Sequence, residues 1–574
     1  AAPPLRPPAA VRAGDDGPAP PECARRLLLV GGGHAHLQAV RSLGAPGALP
    51  GVELTLVDPN PRPAYSGMVP ALISGLYGDG DRPASPDGDG AEEREEGEEG
   101  EGGGIHRVDL RTLAGASGGM EYVEGRVVGL DPPADGAPGT AHVRTPGGDV
   151  VALPFDVLSV DVGSSTRGYG TGPSDVPGTV RVATARSAVV PTRPIADLGR
   201  RIREVEGLWR DAGDPPADVV VVGGGAAGVE LALALRARWG KSGAAVRSLT
   251  LVDASAGLLP NLSAAGRTEM ADVLSGTDSG ALPVRVIAGA AVSAVGDGRL
   301  SLAPSFSPSS ASGAPPRTLR YTLAIWATGA APGPLLPALG RAGVRLCDDG
   351  WIEVGPTLRS TSVPNVYAGG DCVTIVGLPD GRPSPPKAGV YAVRAGPPLL
   401  QNIAAEVSGR GPGTARFVPQ DDFLRLVMCG DGTAVGFRFG MALRGRWVWE
   451  MKDAIDRSFT DGFRGAGLVE WRATDTGTLG EKQYDAGGYG KGSEVAAAMD
   501  AEEAAGLLAR TDDDVEYEVA WAVLRRMATQ ETFRERVLAL WMEEWKKRRL
   551  LGGRDRAVAP SSASGTTGEN IGSR

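Results

Sequence analysis

Two glycine-rich loops, each directly after a short apolar run, are the part of this chain best suited to chemistry. The first is Gly31-Gly-Gly33 and the second is Gly223-Gly-Gly225. Glycines let backbone N–H groups approach a pyrophosphate, and the N-terminus of a following helix adds partial positive charge. In both cases a carboxylate, Asp58 or Asp253, ends the next apolar run, where it can accept a hydrogen bond from a ribose hydroxyl. The pattern predicts two dinucleotide sites with electron transfer between them.

The segments around these loops alternate between strand and helix patterns. One strand–turn–helix–strand unit runs from Arg25 to Asp58, and a second runs from Asp218 to about Thr328. A further strand ending in a glycine turn, at 364–371, suggests that the first domain resumes after the second. The prediction is an α/β fold with two Rossmann-like dinucleotide-binding domains, the second inserted in the first, followed by a C-terminal α+β and helical region.

Shorter signals complete this outline. Residues 120–128 and 141–151 are predicted to form antiparallel hairpins, and 155–160 a buried parallel strand. A hairpin is expected around Gly430-Asp-Gly432, and helices from about Asp500 to Leu550. The predicted divisions are a disordered segment or transit remnant at 1–24, the first part of the first dinucleotide-binding domain at 25–214, the second dinucleotide-binding domain at 215–340, the second part of the first domain at 341–414, a hairpin and helix region at 415–484, and a helical extension with a disordered tail at 485–574.

Charge and composition narrow the function classes. The 574-residue chain has a formal net charge of −10, but residues 78–101 alone carry eleven carboxylates against two arginines. Residues 78–104 are therefore predicted to be a disordered acidic insertion in a surface loop, with a functional acidic segment as the alternative. The remainder is nearly neutral and shows no basic face, so nucleic acid is not expected as a partner.

The four cysteines indicate a reducing compartment. They are Cys23, Cys347, Cys372 and Cys429, and no two of them form a Cys-x-x-Cys pair. The longest charge-free run, 321–340, contains three prolines and three glycines and cannot be a membrane-spanning helix. We expect an organellar protein of plastid or mitochondrion, soluble or peripheral to a membrane, with the cytoplasm as the alternative.

Four spaced motifs resemble those of two-nucleotide-domain flavoproteins of the pyridine nucleotide–disulfide oxidoreductase superfamily. They are Gly31-x-Gly33, Asp58, Ala327-Thr-Gly329 and Ala368-Gly-Gly-Asp371. Other stretches are similar to the branch that contains type II NADH dehydrogenases and the oxidoreductase module associated with selenide, water dikinase. These stretches are 32–36, 65–70, 386–394 and 446–453. The kinase module has no counterpart after Arg464.

The resemblance implies FAD in the first site. Gly31, Gly33 and the following helix would hold the pyrophosphate, and Asp58 would hold the adenosine ribose. Gly370 and Asp371 would contact the ribityl and phosphate part, and Lys387 with Ala388 would begin a helix facing the flavin ring. The dipole of that helix and the Lys387 charge would stabilise reduced flavin, which makes Lys387 a catalytic candidate. The remaining cofactor-binding candidates are His34, His36, Gly163 and Gly329.

The same resemblance implies a nicotinamide dinucleotide in the second site. Gly223, Gly225 and Gly228 would hold its pyrophosphate. Asp253 would accept the 2′-hydroxyl of NADH and repel the 2′-phosphate of NADPH, so NADH is the expected donor. Glu230 would approach the nicotinamide as the second catalytic candidate, with a helix N-terminal acid as the alternative interpretation.

Three departures from the family patterns concern the loops and the acceptor. His36 replaces the third small residue of the first loop, and Asp161-Val-Gly163 stands where many relatives have Ala-Thr-Gly. Gly389 and Arg394 replace glutamines of the quinone-facing motif of type II dehydrogenases.

Several residues have a simpler interpretation beside the functional one. His34 and His36 are expected to fill space beside FAD rather than to bind a metal. Cys372 is expected to be a small buried residue rather than a redox thiol. Tyr65 and Tyr391 either line the acceptor pocket or pack in the core.

Late in the chain, Phe533, Val537, Leu540 and Trp541 recur at helical spacing ahead of a basic cluster at 546–549. Such a helix either lies on an anionic membrane or packs on its own domain or on a second subunit, as in a homodimer.

These observations predict an NAD(P)H oxidoreductase that reduces a quinone or another small acceptor. A slow redox-sensing interaction protein that holds FAD and NADH is the alternative, and a flavoenzyme serving selenium metabolism is a third. Without a paired redox cysteine, electrons would leave directly from the flavin.

Overall fold

The computed structural model describes residues 25–43, 48–77, 108–117, 119–133, 137–213, 216–242, 246–277, 280–304, 317–420, 423–461, 463, 495–510, 515 and 517–555. The predictions for residues 1–24, the acidic insertion at 78–104 and the disordered tail concern segments outside these residues.

A five-stranded parallel sheet carries the first glycine loop. Its central strand ends directly before that loop and pairs in parallel with a neighbour on each side. Residues 27–30 of the central strand and all of its neighbour at 157–160 are buried, as expected for a parallel sheet that is covered on both faces. The strand order is Val366–Ala368 (β19), Val157–Val160 (β7), Arg25–Val30 (β1), Val52–Asp58 (β2) and Met120–Glu124 (β3).

One predicted hairpin proves wrong in its first half. Residues Met120–Glu124 form the parallel edge strand β3, paired with β2, instead of an antiparallel hairpin. The chain leaves the sheet at Gly125, where a Cβ would lie 2.5 Å from a Val143 methyl carbon, and only then enters an antiparallel layer. The predicted parallel strand at 155–160 is confirmed by the pairing of β7 with β1.

A second five-stranded parallel sheet carries the second loop. It lies between strands of the first sheet along the chain, so the predicted insertion and the α/β class are confirmed. The order is Val284–Ile287 (β12), Val246–Val252 (β11), Ala217–Val222 (β10), Leu323–Trp326 (β16) and Ala188–Pro191 (β9). The edge strand β9 precedes the predicted domain boundary at 215, so the second sheet begins earlier in the chain than predicted. With only four residues, this buried strand gives a weak sequence signal.

The other strands form small sheets around these two. Three are three-stranded and antiparallel, and the third of them confirms the hairpin predicted at 430–432. The strands are Arg126–Asp131 (β4), Gly139–Arg144 (β5) and Val150–Phe155 (β6); Ala290–Gly296 (β13), Arg299–Pro304 (β14) and Arg317–Arg320 (β15); Arg425–Met428 (β21), Ala434–Arg438 (β22) and Met441–Gly445 (β23); and the pairs Ser165–Thr166 (β8) with Ala330–Ala331 (β17) and Ile352–Val354 (β18) with Val373–Ile375 (β20).

Helices cover both parallel sheets and form most of the C-terminal region. They are His34–Leu43 (α1), Val69–Ser74 (α2), Leu110–Ser117 (α3), Leu198–Asp211 (α4), Ala226–Ser242 (α5), Ala264–Ser275 (α6), Leu336–Arg341 (α7), Gly389–Val407 (α8), Arg446–Asp461 (α9), Ala501–Ala509 (α10), Tyr517–Thr529 (α11) and Glu531–Asp555 (α12). Among the described helices, none is long and apolar enough to cross a membrane.

Helices α1 and α8 pack closely, and this contact brings both of their N-termini to the first loop. A Cβ at Gly396 of α8 would lie 3.2 Å from the carbonyl oxygen of Ala35 in α1. The side-chain amide of Gln38 donates to the Val393 carbonyl across the same contact, at 3.1 Å. Small residues therefore set the spacing of the two helices.

The C-terminal helices share a core of their own with β23 and α9. Val537 and Trp541 of α12 are 0% and 1% exposed in that core, where Trp447 and Met451 of α9 also lie. The apolar face of α12 is therefore covered by its own domain, one of the alternatives that the sequence left open. Contact of its basic end with a membrane stays a prediction.

Because Trp541 is fully enclosed, its truncation leaves a large cavity in this C-terminal core. We expect Trp541→Ala to lower the free energy of unfolding by about 3–5 kcal/mol, measured by urea denaturation. Val182→Ala is the matched control, since Val182 is 86% exposed and should change stability by less than about 0.5 kcal/mol. Equal stability of the two variants would show that α12 does not pack as described.

Candidate functional site

The first loop turns so tightly that a side chain does not fit at its start. Gly31 has a φ of +95°, and a Cβ there would lie 2.3 Å from the carbonyl oxygen of Asp161, the residue after β7. Gly33 is equally enclosed, because its Cβ would lie 2.3 Å from the carboxyl carbon of Asp161. The glycines therefore let the loop pack directly against Asp161, and the loop and His34, the first residue of α1, line a cavity where a helix N-terminus suits a pyrophosphate.

Asp58 reaches this loop from the end of β2. Its Oδ2 accepts the N–H of Gly32 at 2.6 Å, and its Oδ1 accepts the N–H of Asn60 at 2.7 Å. Burial raises the pKa of Asp58, while these amides and the nearby Arg126 oppose the rise. The carboxylate lines the cavity where a ribose contact was predicted.

Another part of the cavity lining comes from the turn after β19. Gly370 has a φ of +70° and begins a short 3-10 helix, Gly370–Cys372, that includes Asp371. Asp371 accepts a hydrogen bond from the Ser164 hydroxyl at 3.2 Å and lies 3.7 Å from the Arg193 guanidinium. Asp371 lines the same cavity as Asp58.

The N-terminus of α8 opens on the cavity, with Ala388 as its N-cap residue. Lys387 also lines the cavity, but its ammonium donates to the Val373 carbonyl and lies 4.5 Å from the centre of the Trp351 ring. Burial lowers the pKa of this lysine, and the nearby acids oppose the change. The predicted charge beside the helix start is present, though held by those two partners.

Three aromatic rings form the wall next to α8. The His34 ring lies 5.2 Å from that of Tyr65 and 5.9 Å from that of Phe459, and the last two lie 4.6 Å apart. All three residues line the cavity. Burial lowers the pKa of His34 and outweighs the opposing effect of the Asp371 charge, so the ring favours its neutral form. Tyr391 contacts Phe423 at 5.6 Å and is not among the residues that line this cavity.

His36 lies beneath the first loop and does not line the cavity, so the prediction that it contacts the cofactor is not supported. Its ring is 0% exposed and bonds to the Gly31 carbonyl at 2.7 Å and to the Ser159 hydroxyl at 2.8 Å. Burial lowers its pKa to about 4. Its role in this structure is to support the turn. Among the described residues, no cluster of His, Cys, Asp or Glu could hold a metal ion.

The second loop repeats the construction of the first. Gly223 has a φ of +114°, and a Cβ there would lie 2.3 Å from the carbonyl oxygen of Ala327. At Gly228 a Cβ would meet the Gly223 carbonyl oxygen at 1.8 Å, which fixes α5 against the loop. Around Gly225 no atom lies within 4 Å of such a Cβ, because this position faces the cavity.

Asp253 at the end of β11 occupies the same place relative to the second loop as Asp58 does to the first. Its Oδ2 accepts the N–H of Gly224, and its Oδ1 accepts the N–H of Ser255 at 2.7 Å. It also lines the cavity. In each site, the N–H of the middle glycine of the loop therefore fixes the position of the acid.

Glu230 belongs to a buried charge cluster that the sequence did not reveal. It lines the cavity from α5 and accepts the Met428 N–H at 2.9 Å. Burial raises its pKa, and Lys452 of α9 opposes the change. Lys452 donates to Asp456 at 2.6 Å and to the Gly67 carbonyl at 2.8 Å. Residues far apart in the chain meet here, so their spacing carries no signal.

One cavity of about 2180 Å³ joins both loops. Gly31, Gly33, Asp58, Gly163 and Asp371 line one part, and Gly223, Gly225, Gly228, Glu230, Asp253 and Gly329 line another. Gly370 and His36 are the predicted residues outside this lining. Six arginines also line the cavity, and three of them are paired with acids, Arg193 with Asp371 and Arg200 and Arg201 with Asp197; the six are Arg126, Arg167, Arg193, Arg200, Arg201 and Arg203.

None of the described cysteines lines this cavity. Cys372 and Cys429 are buried free thiols, and burial raises the pKa of each to about 12. Cys347 is also free and donates to the Thr374 hydroxyl at 3.6 Å. The thiol of Cys372 bonds to the Gly369 carbonyl at 3.1 Å, as expected for a small buried residue.

The sequence profile of pyridine nucleotide-disulphide oxidoreductases matches residues 25–396. A comparison with curated protein sequences gave no match. Among solved structures, the fold is similar to NDH2 from Plasmodium falciparum in complex with NADH, with a TM-score of 0.56 and 14% identity over 77% of this chain and 97% of the other. It is also similar to the sulfide:quinone oxidoreductase of Aquifex aeolicus, with a TM-score of 0.51 and 15% identity over 76% and 92%. At these identities the likeness concerns the fold.

If Asp253 accepts the 2′-hydroxyl of NADH, the protein should have a higher kcat/KM with NADH than with NADPH. A hydrogen bond to a charged group contributes about 1.5–3 kcal/mol, or roughly tenfold to a hundredfold in kcat/KM. We expect Asp253→Ser to narrow the preference by that factor. Steady-state kinetics with both nucleotides provide the measurement.

Asp253→Asn is a companion variant that separates charge from packing, because it keeps an oxygen acceptor for the loop amide and removes the charge. It should bind FAD as the wild type does and lose most of the discrimination against NADPH. An unchanged preference in both variants would assign the selection to other loop residues.

Proposed function

The chain belongs to the pyridine nucleotide-disulphide oxidoreductase family, and we propose that it is an NADH dehydrogenase that passes electrons through FAD to a quinone-like acceptor. As a member of that family it is a flavoprotein oxidoreductase that binds FAD and NAD(P)H. The proposal concerns the preferred donor, the acceptor and the residues in each role.

The cavity itself carries this proposal. A single space connects the two nucleotide loops, and no described cysteine lines it. A donor in the second site can therefore meet a cofactor in the first without an intervening thiol. When bound, FAD supplies the hydride-accepting and electron-donating chemistry, while the protein contributes alignment, local charge and exclusion of water.

The first loop fits FAD by its geometry. The glycine loop and the first residue of α1 line the cavity beside a helix N-terminus suited to a pyrophosphate, and Asp58, suited to a ribose, and Asp371 line the same cavity. The N-terminus of α8 adds a positive partial charge at the far end, where Ala388 and Lys387 would stabilise negative charge on a bound ring.

The aromatic wall beside α8 supports the proposal of a quinone-like acceptor. His34, Tyr65 and Phe459 present ring faces and edges, and Leu426 and Phe423 add apolar surface to the same lining. A flat, apolar ring fits such a wall. The Aquifex aeolicus neighbour is a sulfide:quinone oxidoreductase by its name, which agrees with this choice.

Gly389, the first residue of α8, allows a direct test of the acceptor site. A Cβ at this position would lie 3.5 Å from the Ser66 hydroxyl and 3.6 Å from the His34 ring, which is ordinary van der Waals contact. Alanine therefore fits here, whereas tryptophan must extend into the cavity beside the aromatic wall.

We expect Gly389→Trp to slow flavin reoxidation by a short-chain quinone at least about tenfold, with flavin reduction by NADH little changed. Gly389→Ala is the matched control and should leave both steps near the wild-type rates. Stopped-flow absorption measures the two half-reactions separately. Unchanged reoxidation in Gly389→Trp would place the acceptor elsewhere, and very slow reoxidation in the wild type would favour the redox-sensing alternative.

A further inference from the structure

The carboxyl group of Asp161 lies inside the first loop. Asp161 follows β7 and is 3% exposed. Its Oδ2 accepts the N–H groups of Ala35 and His36 at 2.9 and 3.0 Å. These are the second and third residues of α1, so an acidic side chain already occupies part of the helix N-terminus that is to receive a pyrophosphate.

Two glycines enclose this carboxyl group. A Cβ at Gly33 would lie 2.3 Å from its Cγ, and a Cβ at Gly370 would lie 2.2 Å from its Oδ1. The two hydrogen bonds that this carboxyl group accepts from described residues, Ala35 and His36, both go to Oδ2. Asp161 also lines the cavity. The corresponding residue of the second loop is Ala327, so the acid is specific to the first loop.

The surroundings favour the neutral form of this acid. Burial raises the pKa of Asp161 to about 7; the two α1 amides oppose the rise, and Asp371 and Asp58 add to it. The nearby cations have other partners, since Arg193 lies against Asp371 and Lys387 donates to the Val373 carbonyl.

The remaining titratable groups around Asp161 do not supply a compensating charge. Burial lowers the pKa values of both His34 and His36, so both rings favour their neutral forms. The neighbouring Cys372 thiol has a pKa raised to about 12 by burial and by Asp161, and it stays protonated at neutral pH.

An ionised carboxylate here would repel the negative charges of a pyrophosphate, whereas a neutral acid can donate a hydrogen bond to it. We propose that Asp161 binds the FAD pyrophosphate as a neutral acid, with Oδ2 on the α1 amides and the Oδ1 hydroxyl donating to a phosphate oxygen. This role concerns FAD binding and does not depend on which acceptor the protein reduces.

The proposal makes FAD affinity depend on pH in a defined direction. Below about pH 7 the acid is already protonated, so the affinity is constant. Above it, FAD binding must take up a proton, and the Kd rises by up to about tenfold for each pH unit. Asparagine in this position keeps an oxygen for the two amides and an N–H donor for the phosphate, but it does not titrate.

The test is a titration of the deflavinated full-length chain with FAD, followed by quenching of flavin fluorescence between about pH 6 and 9. The wild type should show the rise in Kd, and Asp161→Asn should bind with near wild-type affinity at the acid end and lose the rise. The control is Asp156→Asn. Asp156 lies outside the cavity, and Arg26 donates a hydrogen bond to it at 3.0 Å. Burial raises the pKa of Asp156, but Arg26 lowers it, and the net shift is downward. The Asp156→Asn variant should therefore keep the rise in Kd with pH.

A wild-type Kd that is constant over this range, or an Asp161→Asn variant with the wild-type dependence, would overturn the proposal. Calorimetry of the wild type provides a second test that needs no variant. At about pH 8, FAD binding measured in two buffers of different ionisation enthalpy should take up nearly one proton per chain. Uptake of no proton would equally overturn it.

Discussion

Both nucleotide loops depend on one steric constraint, the contact of a glycine Cα with a backbone carbonyl that follows the neighbouring strand. Gly31 meets Asp161 in the first sheet and Gly223 meets Ala327 in the second, and a Cβ would lie 2.3 Å from the carbonyl oxygen in each. Because this contact is so close, the strand ends and the helix N-terminus converge at one point. One such point lies in each parallel sheet, and the shared cavity is lined by both.

The acids at these points are held by the loops themselves. Asp58 and Asp253 each accept the N–H of the middle glycine of their own loop, so the two sites share one local design. The sites differ at Asp161, which adds a carboxyl group to the first loop only. The difference between the loops thus lies in this side chain more than in backbone shape.

The sequence predicted what local patterns encode: the glycine loops, the acids that end the following strands, and the inserted second domain. It failed where a segment gave little local signal, as with the four-residue strand at Ala188–Pro191 and the edge strand at Met120–Glu124. It also missed Lys452, which meets Glu230 only through the packing of α9 against the second domain. Such contacts depend on tertiary structure and produce no characteristic residue spacing in the sequence.

An anaerobic titration of the purified protein with NADH tests most directly whether electrons pass from the flavin to the acceptor without a thiol. One NADH per chain should bleach the visible flavin absorption completely, and alkylation of accessible thiols should change neither the stoichiometry nor the spectrum. A requirement for two NADH per chain, or a long-wavelength charge-transfer band that alkylation abolishes, would contradict direct transfer and indicate a cysteine as a second redox centre.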